Sequence, residues 1–78
     1  MAESTKDISY LQEVIATNVR KRRLRLGLSQ EEFADLCGYH RTYVGSIERS
    51  ERNITVSTLE ALAKNLGIGP AELLNEDG

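Results

Sequence analysis

The sequence contains only one cysteine and one histidine, which excludes two common ways of stabilising a small protein. A disulfide within the chain is impossible because Cys37 has no second cysteine to pair with. A closed zinc sphere is excluded because Cys37 and His40 together supply too few ligands. We therefore expect neither a metal site nor a cofactor.

Long apolar runs are also missing. No stretch approaches the ~20 residues of a membrane span, and the first residues, "MAESTKD", lack the basic and then apolar order of a signal peptide. We expect a cytoplasmic protein. No phosphate loop, nucleophile–base pair or carboxylate pair stands at a persuasive position, so we do not expect an enzyme.

The residues that are present are typical of one small globular domain. The chain has 78 residues, of which 40% are hydrophobic and 28% are charged, as in an ordinary soluble protein rather than a disordered one. A domain of this size buries little apolar surface. Because a disulfide and a metal are excluded, a partner chain is the expected source of additional stability.

Charge is divided unevenly along the chain. The formal net charge is −2, which by itself argues against a nucleic-acid partner. Residues 20–52, however, contain eight basic and five acidic side chains, a net charge of +3, while the remainder has a net charge of −5. Local charge matters more than the total for phosphate binding. The division indicates one surface suited to a polyanion and another, acidic surface.

Apolar spacing and cap residues predict two helices in the first half of the chain. Helical spacing predicts a first helix from about Tyr10 to Leu26, ended by Gly27. In "LSQEEFADLCG", Ser29 followed three residues later by Glu32 is a capping box, and the glycine that ends the string closes this second helix.

Three further helices are predicted in the second half, with no strand candidate. The third begins at His40 or Arg41, directly after a tight turn, and continues to about Arg49. A fourth is capped by Thr55 and stopped by Gly67. A short fifth, "PAELL", begins at a proline, which suits a first helical turn.

The second and third helices form the pattern of a helix-turn-helix, whose second helix enters the DNA major groove. On the third helix Val44 and Ile47 face the core, so the opposite side should be exposed. Arginine can fork onto guanine, threonine suits thymine and serine can bind either kind of base edge, while a tyrosine ring can approach thymine methyls. The predicted base-reading residues are Arg41, Thr42, Tyr43 and Ser46.

The string "LSQEEFADLCGYHRTYVGSIERSERNITVSTLEALAKNLGI" resembles the Xre family, the fold of phage repressor and Cro proteins. Within it, "RTYVGSIER" followed by "RNIT" is similar to the controller proteins of restriction–modification systems. The resemblance implies an all-α, compact five-helix domain of the lambda-repressor type. The resemblance covers roughly Val14 to Leu74. For the whole chain we expect a flexible segment 1–9, a DNA-binding domain 10–74 and a tail 75–78.

The resemblance also implies roles for individual residues. Arg23 and Glu48 match a structural ion pair that joins the first and third helices of this fold. Gln30 matches a phosphate-binding glutamine at the start of the second helix, whose N-terminus itself attracts phosphate. The predicted phosphate-binding residues are Gln30, Arg49, Arg52, Asn53 and Arg20.

Two residues depart from the family pattern, and two others have more than one possible role. Arg22 stands where many relatives have an apolar residue. Gly45, inside the third helix, either allows close approach to DNA or is tolerated there. His40 can contact phosphate, but its position favours starting the helix, and Cys37 lies on an apolar stripe that favours burial.

Dimerisation is the expected source of the missing stability, because helix-turn-helix domains read palindromic operators as dimers with recognition helices ~34 Å apart. Some of the apolar residues near the C-terminus are predicted to form the twofold interface, and the candidates are Leu66, Ile68, Leu73 and Leu74. The predicted function is a homodimeric, autoregulatory controller of transcription for a restriction–modification operon, with an acidic surface available to RNA polymerase. The alternatives are a stand-alone Xre repressor and an antitoxin-type module that binds a partner protein.

Overall fold

The computed structural model describes the backbone of residues 2–76 and the side chains of residues 10–76. Four α-helices and a final 3-10 helix are present, and residues 2–76 contain no strand. The all-α class is therefore confirmed. None of the helices in this part of the chain is long and apolar enough to cross a membrane. The elements are α1 (Ala2–Arg25), α2 (Gln30–Cys37), α3 (Arg41–Glu48), α4 (Val56–Leu66) and the 3-10 helix (Pro70–Leu74).

The predicted fifth helix is present as a 3-10 helix and not as an α-helix. Its backbone bonds span three residues, as in Glu72 N–H to the Gly69 carbonyl at 3.0 Å. Asn75 then takes an extended conformation, with φ −86° and ψ 123°. A segment this short, bounded by Gly69 and Asn75, closes as the tighter 3-10 form that is typical of short helical pieces.

The predicted start of the first helix at Tyr10 is also wrong, because α1 begins at Ala2. Apolar periodicity appears only from Tyr10 onward, whereas a helix can extend beyond its packed face when no Pro or Gly interrupts it. The flexibility of residues 1–9 and of the tail 75–78 stays a prediction. Met1 and residues 77–78 lie outside the described residues.

Local caps determine where α2 begins and ends. The Ser29 hydroxyl accepts from the Glu32 N–H at 3.0 Å, and the Glu32 carboxylate accepts from the Ser29 N–H at 2.8 Å. The predicted capping box is therefore confirmed, and hydrogen bonding of the Glu32 carboxylate to Ser29, chiefly to its backbone N–H, lowers the pKa of that carboxyl. Gly38 ends the helix in the left-handed region at φ 77°.

The caps of α4 are likewise those expected. The Thr55 hydroxyl accepts from the Thr58 N–H at 3.1 Å, and Gly67 closes the helix at φ 74°. Both predicted boundaries are confirmed.

The hydrophobic core lies where α1 to α4 converge, and the 3-10 helix closes it against α1 and α4. Asn18 of α1, only 2% exposed, donates to the Leu73 carbonyl at 2.9 Å and to the Asn75 carbonyl at 2.8 Å. These bonds satisfy carbonyls at the end of the 3-10 helix and fasten it to α1. The buried core residues include Val19, Phe33, Val44, Ile47, Leu62, Leu66 and Leu73.

The core changes the prediction for the twofold interface. Leu73 is completely buried and Leu66 is 6% exposed, both inside the chain's own core. Both side chains are therefore used inside the chain's own core, which leaves Ile68 and Leu74 as the predicted interface residues open to a partner chain. Leu74, next to Leu73, is 41% exposed, and Ile68 is half-buried at the edge of the core.

Candidate nucleic-acid interface

The α2–turn–α3 unit has the expected helix-turn-helix geometry. Gly38 reverses the chain, and the Tyr39 N–H returns to the Ala34 carbonyl at 2.9 Å. His40 then caps α3, since its Nδ1 accepts from the Thr42 N–H at 3.0 Å. Its expected position at the helix start is confirmed, and the cap places the first residues of α3 at the surface.

Arg41 and Thr42 occupy the exposed start of α3. Neither side chain forms a hydrogen bond or an ion pair with another residue among those whose side chains are described. The guanidinium and the hydroxyl are thus available to an external partner, as the apolar spacing of Val44 and Ile47 implied.

Ser46 is placed differently from the prediction. It is 5% exposed rather than projecting outward. Its hydroxyl donates to the Tyr43 carbonyl at 2.7 Å and accepts from Arg52 Nε at 3.1 Å. Serine in a helix commonly folds back onto its own backbone in this way. The expected exposure of Ser46 is therefore wrong, while its base contact stays untested.

Tyr43 supports its neighbours from a half-buried position. Its ring meets Tyr39 edge-on, with centroids 5.1 Å apart, and its hydroxyl lies 3.4 Å from that of Thr58. The Arg52 guanidinium lies 5.6 Å from the ring centroid. This cation–π contact and the Ser46 bond hold Arg52 beside the recognition helix.

Arg23 and Glu48 lie together beneath the interface, with side chains 8% and 3% exposed. Arg23 Nε and Nη2 donate to the two carboxylate oxygens at 2.7 and 2.9 Å, which raises the pKa of Arg23. Nη1 donates to the Leu28 carbonyl at 2.8 Å, so that all three guanidinium nitrogens of Arg23 form hydrogen bonds. This bidentate geometry joins α1 to α3.

Gln30 is oriented by the same carboxylate, because its Nε2 donates to Glu48 Oε1 at 3.0 Å. Since a carboxylate only accepts, the amide must present nitrogen rather than oxygen to it. The second hydrogen of Nε2 is left over for an external acceptor. Gln30 also lies across Gly45, where an added Cβ would be 3.3 Å from its Oε1.

The remaining predicted phosphate-binding residues are exposed. Arg49 Nε and Nη2 donate to Glu51 at 3.1 and 3.2 Å, while Asn53 and Arg20 face solvent. Gln30, Arg49 and Arg52 border α3 and are brought together there. The structure shows Arg20 only as an exposed residue of α1.

Sequence reasoning missed two residues. Glu51 follows Arg49 by two positions, a spacing that carries no helical signal, so its ion pair depends on the turn after α3. Asn18 follows the apolar Val14 and Ile15 by one helical turn, and a polar residue at such a position was the available signal. Burial raises the pKa of the Cys37 thiol to about 11, so it is protonated at neutral pH.

A groove of about 190 Å³ lies next to the interface, lined by α1, the loop before α4 and the end of the 3-10 helix. Its apolar side chains include Leu11 and Leu74, which are 45% and 41% exposed. The groove residues are Leu11, Gln12, Ile15, Ile47, Arg52, Asn53, Ile54 and Leu74.

Sequence comparison finds similarity over most of the chain. A family model described as helix-turn-helix (HTH_3) matches residues 19–73. The control protein C.SmaI of Serratia marcescens is 50% identical over 74 residues, covering 92% of this chain and 88% of that protein.

Solved structures of controller proteins are similar in fold as well. The restriction-modification controller C.AhdI from Aeromonas hydrophila is 40% identical with a TM-score of 0.76, covering 80% of this chain and 94% of that one. The C.Esp1396I tetramer in complex with its natural 35 base-pair operator has 33% identity and a TM-score of 0.75 over 82% of this chain and 84% of that one.

Proposed function

Because the chain belongs to the helix-turn-helix family HTH_3, we propose that it is a DNA-binding transcriptional regulator that recognises a specific operator as a homodimer. The predicted resemblance to controller proteins of restriction–modification systems is confirmed. The observation that carries the proposal is the exposed start of α3, where Arg41 and Thr42 bond no other side chain of residues 10–76 and lie near Gln30, whose amide is oriented by Glu48. We accordingly assign no enzymatic activity to this cytoplasmic regulator.

Base reading in this proposal is done by the start of α3. The Arg41 fork matches the O6 and N7 acceptors of guanine, and Thr42 offers a hydroxyl and a methyl to a neighbouring base edge. Ser46 and Tyr43 act first as supports, since their polar atoms are used inside the protein. Two free side chains at the end of an anchored helix specify sequence, while their neighbours hold them in place.

Phosphate binding orients that helix. Gln30 at the N-terminus of α2 contributes the second hydrogen of its amide, and the helix terminus itself favours an anion. Arg49, Arg52 and Asn53 contribute donors at the C-terminal end of α3 and in the loop after it, and Arg20 extends the basic surface along α1. These contacts add affinity for every sequence and make binding salt-dependent.

The dimer surface is assigned to the apolar groove rather than to the core leucines. Leu74 and Leu11 expose large apolar areas at the edge of this groove, with Ile54 between α3 and α4 beneath them. A second protomer would cover this surface, and the twofold axis would then lie on the same side of the molecule as Arg52. A palindromic operator follows from such a dimer.

We expect the exchange Leu74→Asp to convert the dimer into a monomer. A charge placed in an apolar interface loses solvation without gaining a partner, whereas on a solvent-facing monomer surface it costs little. Sedimentation at micromolar concentration measures the mass, and Val56→Asp is the matched control because Val56 is 73% exposed outside the groove. A mass that stays dimeric in Leu74→Asp would contradict the assigned surface.

The regulator function is tested by titrating the protein into labelled duplex from its own upstream region, with random duplex as competitor, at two salt concentrations. Saturable binding that survives the competitor, with two protomers per site, is expected. Binding that disappears under competitor would contradict autoregulation and favour a distant target or a protein partner.

Arg41 and Arg52 should differ in how their loss changes recognition. We expect Arg41→Ala to cost ~1–3 kcal/mol on the operator and to relax specificity at one base pair, because a base contact is removed. Arg52→Ala should weaken operator and random duplex alike and lower the salt slope by about one. Competition binding at several salt concentrations measures both. Equal losses on the two duplexes for Arg41→Ala would contradict its base-reading role.

The wider regulatory role is proposed from resemblance and charge. Control of its own restriction–modification operon accords with the similarity to C.SmaI, and exposed acids outside residues 20–52, such as Glu13 and Glu60, would form the acidic surface offered to RNA polymerase. A stand-alone repressor or an antitoxin-type module are the alternatives. Co-purification with a neighbouring gene product would favour the antitoxin-type module.

A further inference from the structure

The guanidinium of Arg49 is occupied in the DNA-free protein. Its Nε and Nη2 donate to separate oxygens of Glu51 at 3.1 and 3.2 Å. Both side chains are more than half exposed, at 58% and 56%, so the pair is open to solvent and to any ligand of α3. The fork edge of this arginine is therefore filled by a carboxylate of the same chain.

The turn after α3 brings the two side chains together. Ser50 takes a left-handed φ of 62°, and the Glu51 N–H then returns to the Ser46 carbonyl at 2.9 Å. This reversal places Glu51 beside the last turn of α3. The backbone, rather than a chance rotamer, thus determines the closeness of Arg49 and Glu51.

Gly45 provides the space in which the paired guanidinium lies. A Cβ at this position would be 3.1 Å from Arg49 Nη1, closer than an ordinary van der Waals contact. The missing side chain therefore lets Arg49 fold back along α3 in its paired form. In the DNA-free protein, the space beside Gly45 is therefore occupied by side chains of the same chain, those of Arg49 and Gln30.

A DNA phosphate and the Glu51 carboxylate compete for the Nε–Nη2 edge of Arg49, because Nη1 on its other edge lies against Gly45 of α3. Both are anions that arginine binds through its planar fork, and one fork edge accepts a single such partner in bidentate form. We infer that Glu51 is an internal competitor for the phosphate that Arg49 binds, so that it lowers the affinity of the protein for DNA. This inference rests on the proposed DNA-binding function.

Both partners of the pair are charged at neutral pH. Hydrogen bonds from Arg49 lower the pKa of the Glu51 carboxyl, with a smaller effect from the nearby charge of Arg52. Exposed ion pairs favour their closed form by a factor of roughly 1.5 to 5. Because the pair must open before Arg49 can bind a phosphate, the affinity of the wild-type protein for DNA should be about two- to sixfold lower per protomer than without the pair. When both protomers bind, the affinity is lower by the square of that factor.

A double-mutant cycle tests the competition. Glu51→Gln, Arg49→Gln and the double variant are titrated into random duplex, where base contacts do not contribute, at one low salt concentration. We expect Glu51→Gln to tighten binding by about two- to sixfold per protomer when Arg49 is present, and to have little effect beyond the loss of one charge in the Arg49→Gln background. Glu60→Gln, an exposed acid of α4 without a described partner, measures the effect of that charge loss alone.

The other outcomes have distinct meanings. Equal tightening in both backgrounds would show that Glu51 repels phosphate directly, and the inference would be wrong. Weaker binding by Glu51→Gln would show that Glu51 instead presents Arg49 to DNA, which also overturns it. A wild-type protein that binds neither operator nor random duplex would refute the proposed function, and the inference with it.

Discussion

Replacing Glu48 with alanine should lower the free energy of unfolding by about 3–5 kcal/mol, because it leaves the buried guanidinium of Arg23 without a counter-charge. The Arg23 side chain is 8% exposed and bonds both oxygens of Glu48. Gln30 would lose its partner as well, so its amide would no longer be held with nitrogen toward α3. Urea denaturation followed by circular dichroism measures the change in stability.

The matched comparison removes both charges together. In Arg23→Met combined with Glu48→Leu, no buried charge remains unpaired, so much of the stability lost in Glu48→Ala should return. DNA affinity should stay reduced in the double variant, since Gln30 remains without its acceptor. A loss of less than about 1 kcal/mol in Glu48→Ala would mean that the pair is solvated, against its observed burial.

A second large effect is expected at Leu73. The change Leu73→Ala should destabilise the protein by about 2–5 kcal/mol, because the side chain is completely buried and its loss leaves a cavity. The shortened side chain would also loosen the 3-10 helix whose carbonyl is bound by Asn18. Thermal unfolding, repeated over a range of protein concentrations, measures the loss.

Leu74 supplies the control for Leu73. It follows directly in sequence but is 41% exposed, so Leu74→Ala should leave the unfolding of the monomer nearly unchanged. Any loss in Leu74→Ala should depend on protein concentration, because it would come from dimerisation. Equal, concentration-independent losses at both positions would contradict the placement of Leu73 inside and Leu74 outside.

The boundaries of α2 and α4 could be predicted because their signals are local. Ser29 with Glu32, Thr55, and the glycines at positions 38 and 67 each act through backbone groups a few residues away. The exposure of Arg41 and Thr42 followed from helical periodicity on one short element. Such signals do not depend on the rest of the chain.

Predictions failed where a side chain had more than one polar or apolar partner within reach. Ser46 lies on a face that periodicity assigns to solvent, yet it bonds the Tyr43 carbonyl and is covered by Arg52 from the following loop. Leu73 and Leu74 are indistinguishable in sequence, and the 3-10 turn decides which one enters the core. The start of α1 at Ala2 was missed for another reason, since the apolar periodicity used to predict this helix begins only at Tyr10.

The sequence by itself determined the all-α class, the boundaries of α2 to α4, the excess of basic residues in 20–52 and the exposure of Arg41 and Thr42, because caps, periodicity and charge are short-range properties. Tertiary structure alone decided the rest: the inward turn of Leu73, the orientation of Gln30 by Glu48, the cover over Ser46 and the pairing of Arg49 with Glu51. Each of these depends on packing between segments or on a turn geometry that sequence spacing does not specify.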